Sequence, residues 1–185
     1  MKSLKRYDRE AAVRYAHKWA LSTNPAYYNY DKLGGDCTNF ASQCIYAGSG
    51  VMNYTPTFGW YYIDANRKAP AWTGVPYLYN FLTRKSDSVG PKARECTMSE
   101  LQPGDIIQLL FDGSEFQHCP VVVDASAPFS PSDILVAAHS YDTDYRPLIT
   151  YDYRKIRCLH IESVVKKKKI IFVSDNYEKM LIRNV

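Results

Sequence analysis

The spacing of apolar residues changes character once along this chain, and that change limits what it can fold into. In residues 8–22 the apolar side chains Ala12, Val13, Ala16, Trp19, Ala20 and Leu21 recur at helical spacing. Acidic Asp8 and Glu10 lie near the start, where the helix dipole favours them, and Asn24-Pro25 ends the run. Residues 37–47 form a second helical stretch with Phe40, Ala41, Cys44, Ile45 and Ala47 on its apolar side. Asp36 stands at its N-cap position and Gly48 where the chain should leave helical geometry. Residues 51–75 are aromatic and irregular, and a third helix is expected over 75–84. Beyond them come short β-rich runs at 105–111, 118–124 and 134–139, divided by Gly, Ser, Pro and Asp. Further strands are expected at 147–151, 156–162 and 168–174.

Helices first and strands afterwards predict an α+β fold, with N-terminal helices packed on an antiparallel β-sheet. No internal repeat or linker divides the 185 residues, so a single domain over 1–185 is expected, with 155–185 as additional C-terminal strands. A hydrophobic share of 46% is enough for one core without metal or disulfides.

The net charge of +4 reads as an ordinary solvated surface, and no nucleic-acid partner is expected from it. The dense run Lys166 to Lys169 lies between Val164-Val165 and Ile170 to Val173, where lysines protect a sheet edge from pairing. Five cysteines, Cys37, Cys44, Cys96, Cys119 and Cys158, show no C-x-x-C spacing. On a shared helix, Cys37 and Cys44 would stand about 10 Å apart, too far to bridge. An odd, scattered set predicts free thiols and a reducing compartment. Behind Lys2, Lys5 and Arg6 there is no apolar stretch of signal-peptide type, and no segment is long enough to span a membrane. The expectation is a cytoplasmic monomer, or a secreted or wall-associated one if an export signal belongs upstream.

Cys37 is the sharpest chemical feature. It follows Gly34-Gly35-Asp36 and opens a helix, where unpaired amides and the positive dipole end stabilise an anion. A thiol so placed is expected to fall below its usual value of about 8.5 and to act as a nucleophile. The two glycines let backbone approach closely and leave room for a substrate. Such a nucleophile needs a base, and His is the usual choice near neutral pH. His17, within the first helix, and His160, in a late apolar run, read as structural. His118 opens a strand, held by the sheet yet facing outward, while Cys119 points to the other face. His139 ends the next strand, where it could hold the first imidazole in the useful tautomer; Asp142 and Asp124 are equal candidates on chemistry alone.

The run from Gly35 to Cys44, Gly-Asp-Cys-Thr-Asn-Phe-Ala-Ser-Gln-Cys, resembles the signature of the bacterial putative amidase domain family. That family resembles a branch of the papain-like superfamily, related to the NlpC-type and CHAP-type cell-wall hydrolases. Supporting blocks follow in order: Tyr-Asp-Arg at 7–9, Gly-Trp-Tyr-Tyr at 59–62, Leu-Gln-Pro-Gly-Asp-Ile-Ile at 101–107, the strand led by His118, and Ala-His-Ser at 138–140. The resemblance covers roughly residues 7–150. It implies a papain-like, NlpC-like fold and an amide-bond hydrolase acting through a thioester, with Cys37 as nucleophile, His118 as base and His139 as the orienting third residue. It further implies an oxyanion hole that includes the Cys37 amide. The substrate would be a peptide or other amide, with peptidoglycan peptides as the natural guess, and no cofactor or metal is expected. Asp36, Tyr30 and Trp60 are the expected substrate contacts. The chain departs from the pattern at Cys119-Pro120, where proline removes a ladder hydrogen bond, and after about residue 155.

Three rivals can be weighed. A zinc enzyme lacks ligand spacing, and a serine hydrolase lacks a G-x-S-x-G elbow. The serious alternative is a catalytically impaired papain-like module that binds peptide or cell-wall glycan.

Overall fold

Strand β7 (Lys155–Lys167) is the long axis around which the chain is organised in this computed structural model, which describes residues 2–167. Strand β2 (Gly90–Cys96) runs antiparallel to β7 from Val165 back to Cys158. Strands β1 (Lys2–Lys5) and β3 (Ile106–Leu110) pair with residues of β7 that β2 also pairs, so both must lie along its opposite edge. The sheet continues from β3 through β4 (Val121–Ala125) and β5 (Ile134–Ala138) to β6 (Thr143–Pro147), with every pairing antiparallel.

Among the described residues four α-helices accompany this sheet: α1 (Arg9–Trp19), α2 (Cys37–Ser49), α3 (Pro70–Thr73) and α4 (Val75–Leu82). The Ala11 amide donates to the Asp8 carboxylate, capping α1, which turns Ala12 and Ala16 inward. Helix α2 is buried along nearly its whole length. It runs through Gly48, where a side chain would collide with the Tyr7 ring, and ends at Gly50, whose φ of 63° suits glycine. Gly48 is therefore a packing glycine, and the expected exit from the helix lies two residues later.

Alternate residues of the central strands feed two cores. Ile106, Val121 and Leu159 pack with Phe40, Ile45, Trp60, Trp72 and Leu78 on the helical side. Ile107, Leu109, Val122, Ile134 and Val136 pack with Leu101 and Leu148 on the other. Burial on both faces explains why β3 is a run of apolar residues interrupted only by Gln108, whose amide donates to the Val75 carbonyl.

The α+β architecture with helices against an antiparallel sheet agrees with the sequence. Several elements differ. β1, β2 and α3 are additional; β2 carries Lys92, Arg94 and Glu95, whose charge hides a strand signal. The strand expected at 147–151 lies earlier, as β6, and Leu148–Thr150 form a 3₁₀ turn. His118 pairs through a single bridge to Leu109 before β4 begins at Val121. The strand expected at 168–174 falls outside the described residues. No helix among the described residues is long and apolar enough to cross a membrane.

Candidate active site

The loop ahead of α2 is built to present one residue. Gly34 and Gly35 have φ of 103° and 107°, in the left-handed region that side chains disfavour. At Gly35 an added side chain would press on Ser140 Oγ at 3.2 Å. That hydroxyl accepts from the Asp36 amide at 2.6 Å and donates to Asp31 at 2.8 Å, which ties the loop to the end of β5. Asp36 is fully buried at the N-cap position, yet its carboxylate does not cap the helix. One oxygen accepts from the Tyr30 amide and Asn39 Nδ2, both at 2.8 Å, and the other faces His139 Nδ1 at 2.6 Å.

His139 Nε2 in turn faces the Trp19 carbonyl at 2.8 Å. Both ring nitrogens face acceptor oxygens, an arrangement that favours the doubly protonated ring. Phe40 stacks on it with centroids 4.2 Å apart. Burial works against the charge, but the bonds to Asp36 and Trp19 prevail and raise the pKa of His139 above its ordinary value.

Cys37 begins α2 directly after this lock, and its side chain borders an open pocket of about 550 Å³. His118 lines the same pocket, with Gly34, Gly35, Gln117, Ser140, Arg146 and Tyr151 among its neighbours. The Cys37 thiol donates to the Gln117 carbonyl at 3.9 Å, so it meets the backbone immediately before His118. Gln117 is braced by its own side chain, which accepts from the Phe111 and Asp112 amides and donates to the Asp112 carboxylate. The His118 ring lies 5.5 Å from that of Tyr151, and no hydrogen bond joins it to the Cys37 thiol.

The helix start was expected to lower the thiol pKa. Burial outweighs it: the Cys37 thiol is pushed up, with Thr38 and nearby backbone amides pulling the other way and Asp36 reinforcing the rise. Burial, helped by the Arg146 charge, depresses His118 to about 4. At neutral pH the resting pair is therefore a thiol and a neutral imidazole.

The structure brings Cys37 and His118 to one pocket and leaves the other expected residues out of it. His139 bonds to Asp36 and Trp19, so it holds the loop that carries Cys37 and makes no hydrogen bond to the His118 ring. Asp142 and Asp124 are exposed and do not line the pocket. Trp60 is fully buried, donating to Ser42 at 3.0 Å and packed on Trp72 and Phe81, because an indole of that size serves the helical core. Tyr30 is also buried and donates to the Ala65 carbonyl. Asp36, Tyr30 and Trp60 thus support the site from behind. The pocket wall instead includes Phe111, Tyr141, Arg146, Tyr151 and Asp152, which no sequence pattern singled out. Their only signal was position, Phe111 shortly before His118 and the others after His139.

Fold and pocket together define an α+β domain that presents a helix-opening cysteine beside a histidine at the mouth of an antiparallel sheet. The chain belongs to the putative amidase domain family, whose model matches residues 6–161, and this membership supports an amidase-type hydrolase. It is 35% identical over 144 residues to the uncharacterized protein YhbB of Bacillus subtilis (strain 168), covering 76% of this chain and 43% of that one. It is 33% identical over 105 residues to the uncharacterized protein YjcM of the same organism, covering 56% of this chain and 22% of that one. The chain thus spans less than half the length of these curated relatives. No solved structure matches it.

Proposed function

We propose that this chain is a cysteine-dependent amide-bond hydrolase of papain-like, NlpC-like architecture, working through a thioester. The observation that carries the reading is the convergence of Cys37 and His118, 81 residues apart in sequence, on one open pocket. His118 takes the thiol proton as Cys37 Sγ attacks the amide carbon, and delivers it to the leaving amine. Water activated by the same imidazole then attacks the thioester carbon and releases the acid and the thiol. A resting neutral pair suits this sequence, because the proton moves during attack. The Cys37 amide donates to no group among the described residues and stands at the helix's positive end, where it would stabilise the oxyanion.

Peptidoglycan stem peptides, or smaller wall-derived peptides inside the cell, are the substrates we favour. Incubating the purified protein with a library of muropeptides and simple amides, and locating cleaved bonds by mass spectrometry, tests this. Cleavage of an amide by the wild type and its loss in Cys37→Ala is the expected result; equal cleavage by the two proteins would refute it.

One observation favours a second reading, a module that binds peptide or wall glycan without cleaving it: thiol and imidazole share no hydrogen bond in the resting site. Labelling separates the two. A competent site alkylates at Cys37 faster than at the other four thiols, whereas uniform slow labelling fits the binding module.

A further inference from the structure

Arg146 stands on β6 in the wall of the pocket, and nothing in the proposed acyl transfer uses it. Its guanidinium is held in place: Nε donates to Thr150 Oγ1 at 2.7 Å, a second nitrogen donates to the Thr150 carbonyl at 3.0 Å, and the group lies 3.8 Å from the centre of the Tyr151 ring. Among the described residues it forms no salt bridge. Asp152, the other charged side chain of the pocket, is exposed and forms no ion pair with it. The Tyr151 hydroxyl is buried beside this guanidinium, and no hydrogen bond of good geometry reaches it. A fixed guanidinium with donors to spare in the wall of a largely apolar cleft is the chemistry that holds a carboxylate.

We infer that Arg146 is a specificity residue that anchors a carboxylate of the substrate, so the amide presented to Cys37 belongs to an acidic molecule such as a peptide with a free carboxylate near the scissile bond. This deepens the proposed amidase reading and rests on it for the identity of the reacting bond. A single anchoring cation fits one negative charge better than a phosphate. His118 adds no charge at neutral pH, being held neutral by burial.

The test uses two alkylating reagents of nearly equal size, iodoacetate and iodoacetamide, which differ by one carboxylate. Labelling of Cys37 is followed by peptide mass spectrometry at pH 7.5, with glutathione as the reference thiol. The wild type should prefer iodoacetate, relative to glutathione, by about tenfold, the effect of one charge-assisted hydrogen bond. Arg146→Gln should abolish that preference, and Arg146→Lys, which keeps the charge without the fork, should retain part of it. In the wild type, N-acetylalanine should slow iodoacetamide labelling of Cys37 while N-acetylalaninamide does not; this arm needs no variant to fold. A purely structural Arg146 would alter both reagents equally. Equal reagent preference in wild type and Arg146→Gln, equal protection by acid and amide, or a Cys37 that reacts with neither reagent would each overturn the inference. None of these readouts requires turnover, so a protein that cleaves no amide would refute the proposed function and leave the anchor measurable.

Discussion

His139 donates a 2.6 Å hydrogen bond to the buried Asp36 carboxylate, one residue ahead of Cys37. The pair joins the end of β5 to the loop that opens α2, and the second bond of His139, to Trp19, brings in the end of α1. Three elements thus converge on the residue preceding the proposed nucleophile. What the sequence offered as a partner for His118 is a brace for Cys37.

Removing one member of a buried ion pair strands the other, at a typical cost of about 3–5 kcal/mol. His139→Ala should therefore lose stability of that order, and Asp36→Ala similarly. Denaturant unfolding of both single variants and the double variant measures it. The double variant should be far less destabilised than the sum of the singles, because the two groups act as a unit. Additive losses below about 1 kcal/mol would mean that the pair is not a lock.

His118 and His139 should act on stability with opposite signs. His118 is depressed to about 4 from 6.5, so the unfolded chain binds its proton first as pH falls. Its contribution is present above about 6.5 and drains away toward pH 4, on the order of 3 kcal/mol in all. His139 is raised, so its contribution is complete below 6.5 and is lost as pH rises through its folded value. Unfolding free energy measured from pH 4 to 9 should show both limbs. His118→Asn should flatten the acid limb alone; an unchanged acid limb in that variant would contradict the assignment.

The helix-opening Cys37, the strand mouth at His118 and the α+β class were legible because each is a local signal: glycines before a helix start, a polar residue ahead of an apolar run, a change of period. The role of His139 was not, because its partners Asp36 and Trp19 are 103 and 120 residues away. Trp60 was misread for a related reason: an aromatic cluster looks the same in a cleft wall or a core, and only the packing of Trp72 and Phe81 against it decides. The thiol pKa reversed sign because burial cannot be read from a helix start. His17, structural by its place in the first helix, meets Asp144 at 2.9 Å and stacks on Tyr145, both from β6.

Cysteine spacing hid one neighbouring pair. Cys96 on β2 and Cys158 on β7 stand directly opposite each other, a placement that brings Cα atoms within about 4.5–5.5 Å, inside the disulfide range. Both thiols are pushed up by burial, to about 11 and about 12, so they resist oxidation at neutral pH without a catalyst. Under copper-phenanthroline oxidation, Cys96–Cys158 should be the first disulfide seen by non-reducing peptide mapping. A first bridge that includes Cys37 would contradict the geometry.

The central claim is that Cys37 sulfur carries the acyl group, with His118 moving the proton. Acid quenching of the wild type within its first turnover on a cleaved amide, followed by intact-mass and peptide analysis, tests it most directly. The expected result is an acyl adduct on Cys37, with neither adduct nor product from Cys37→Ala and turnover at least a hundredfold slower in His118→Ala, consistent with general-base contributions of about 10²–10⁴. Full turnover by Cys37→Ala, or an acyl group found on another residue, would contradict it.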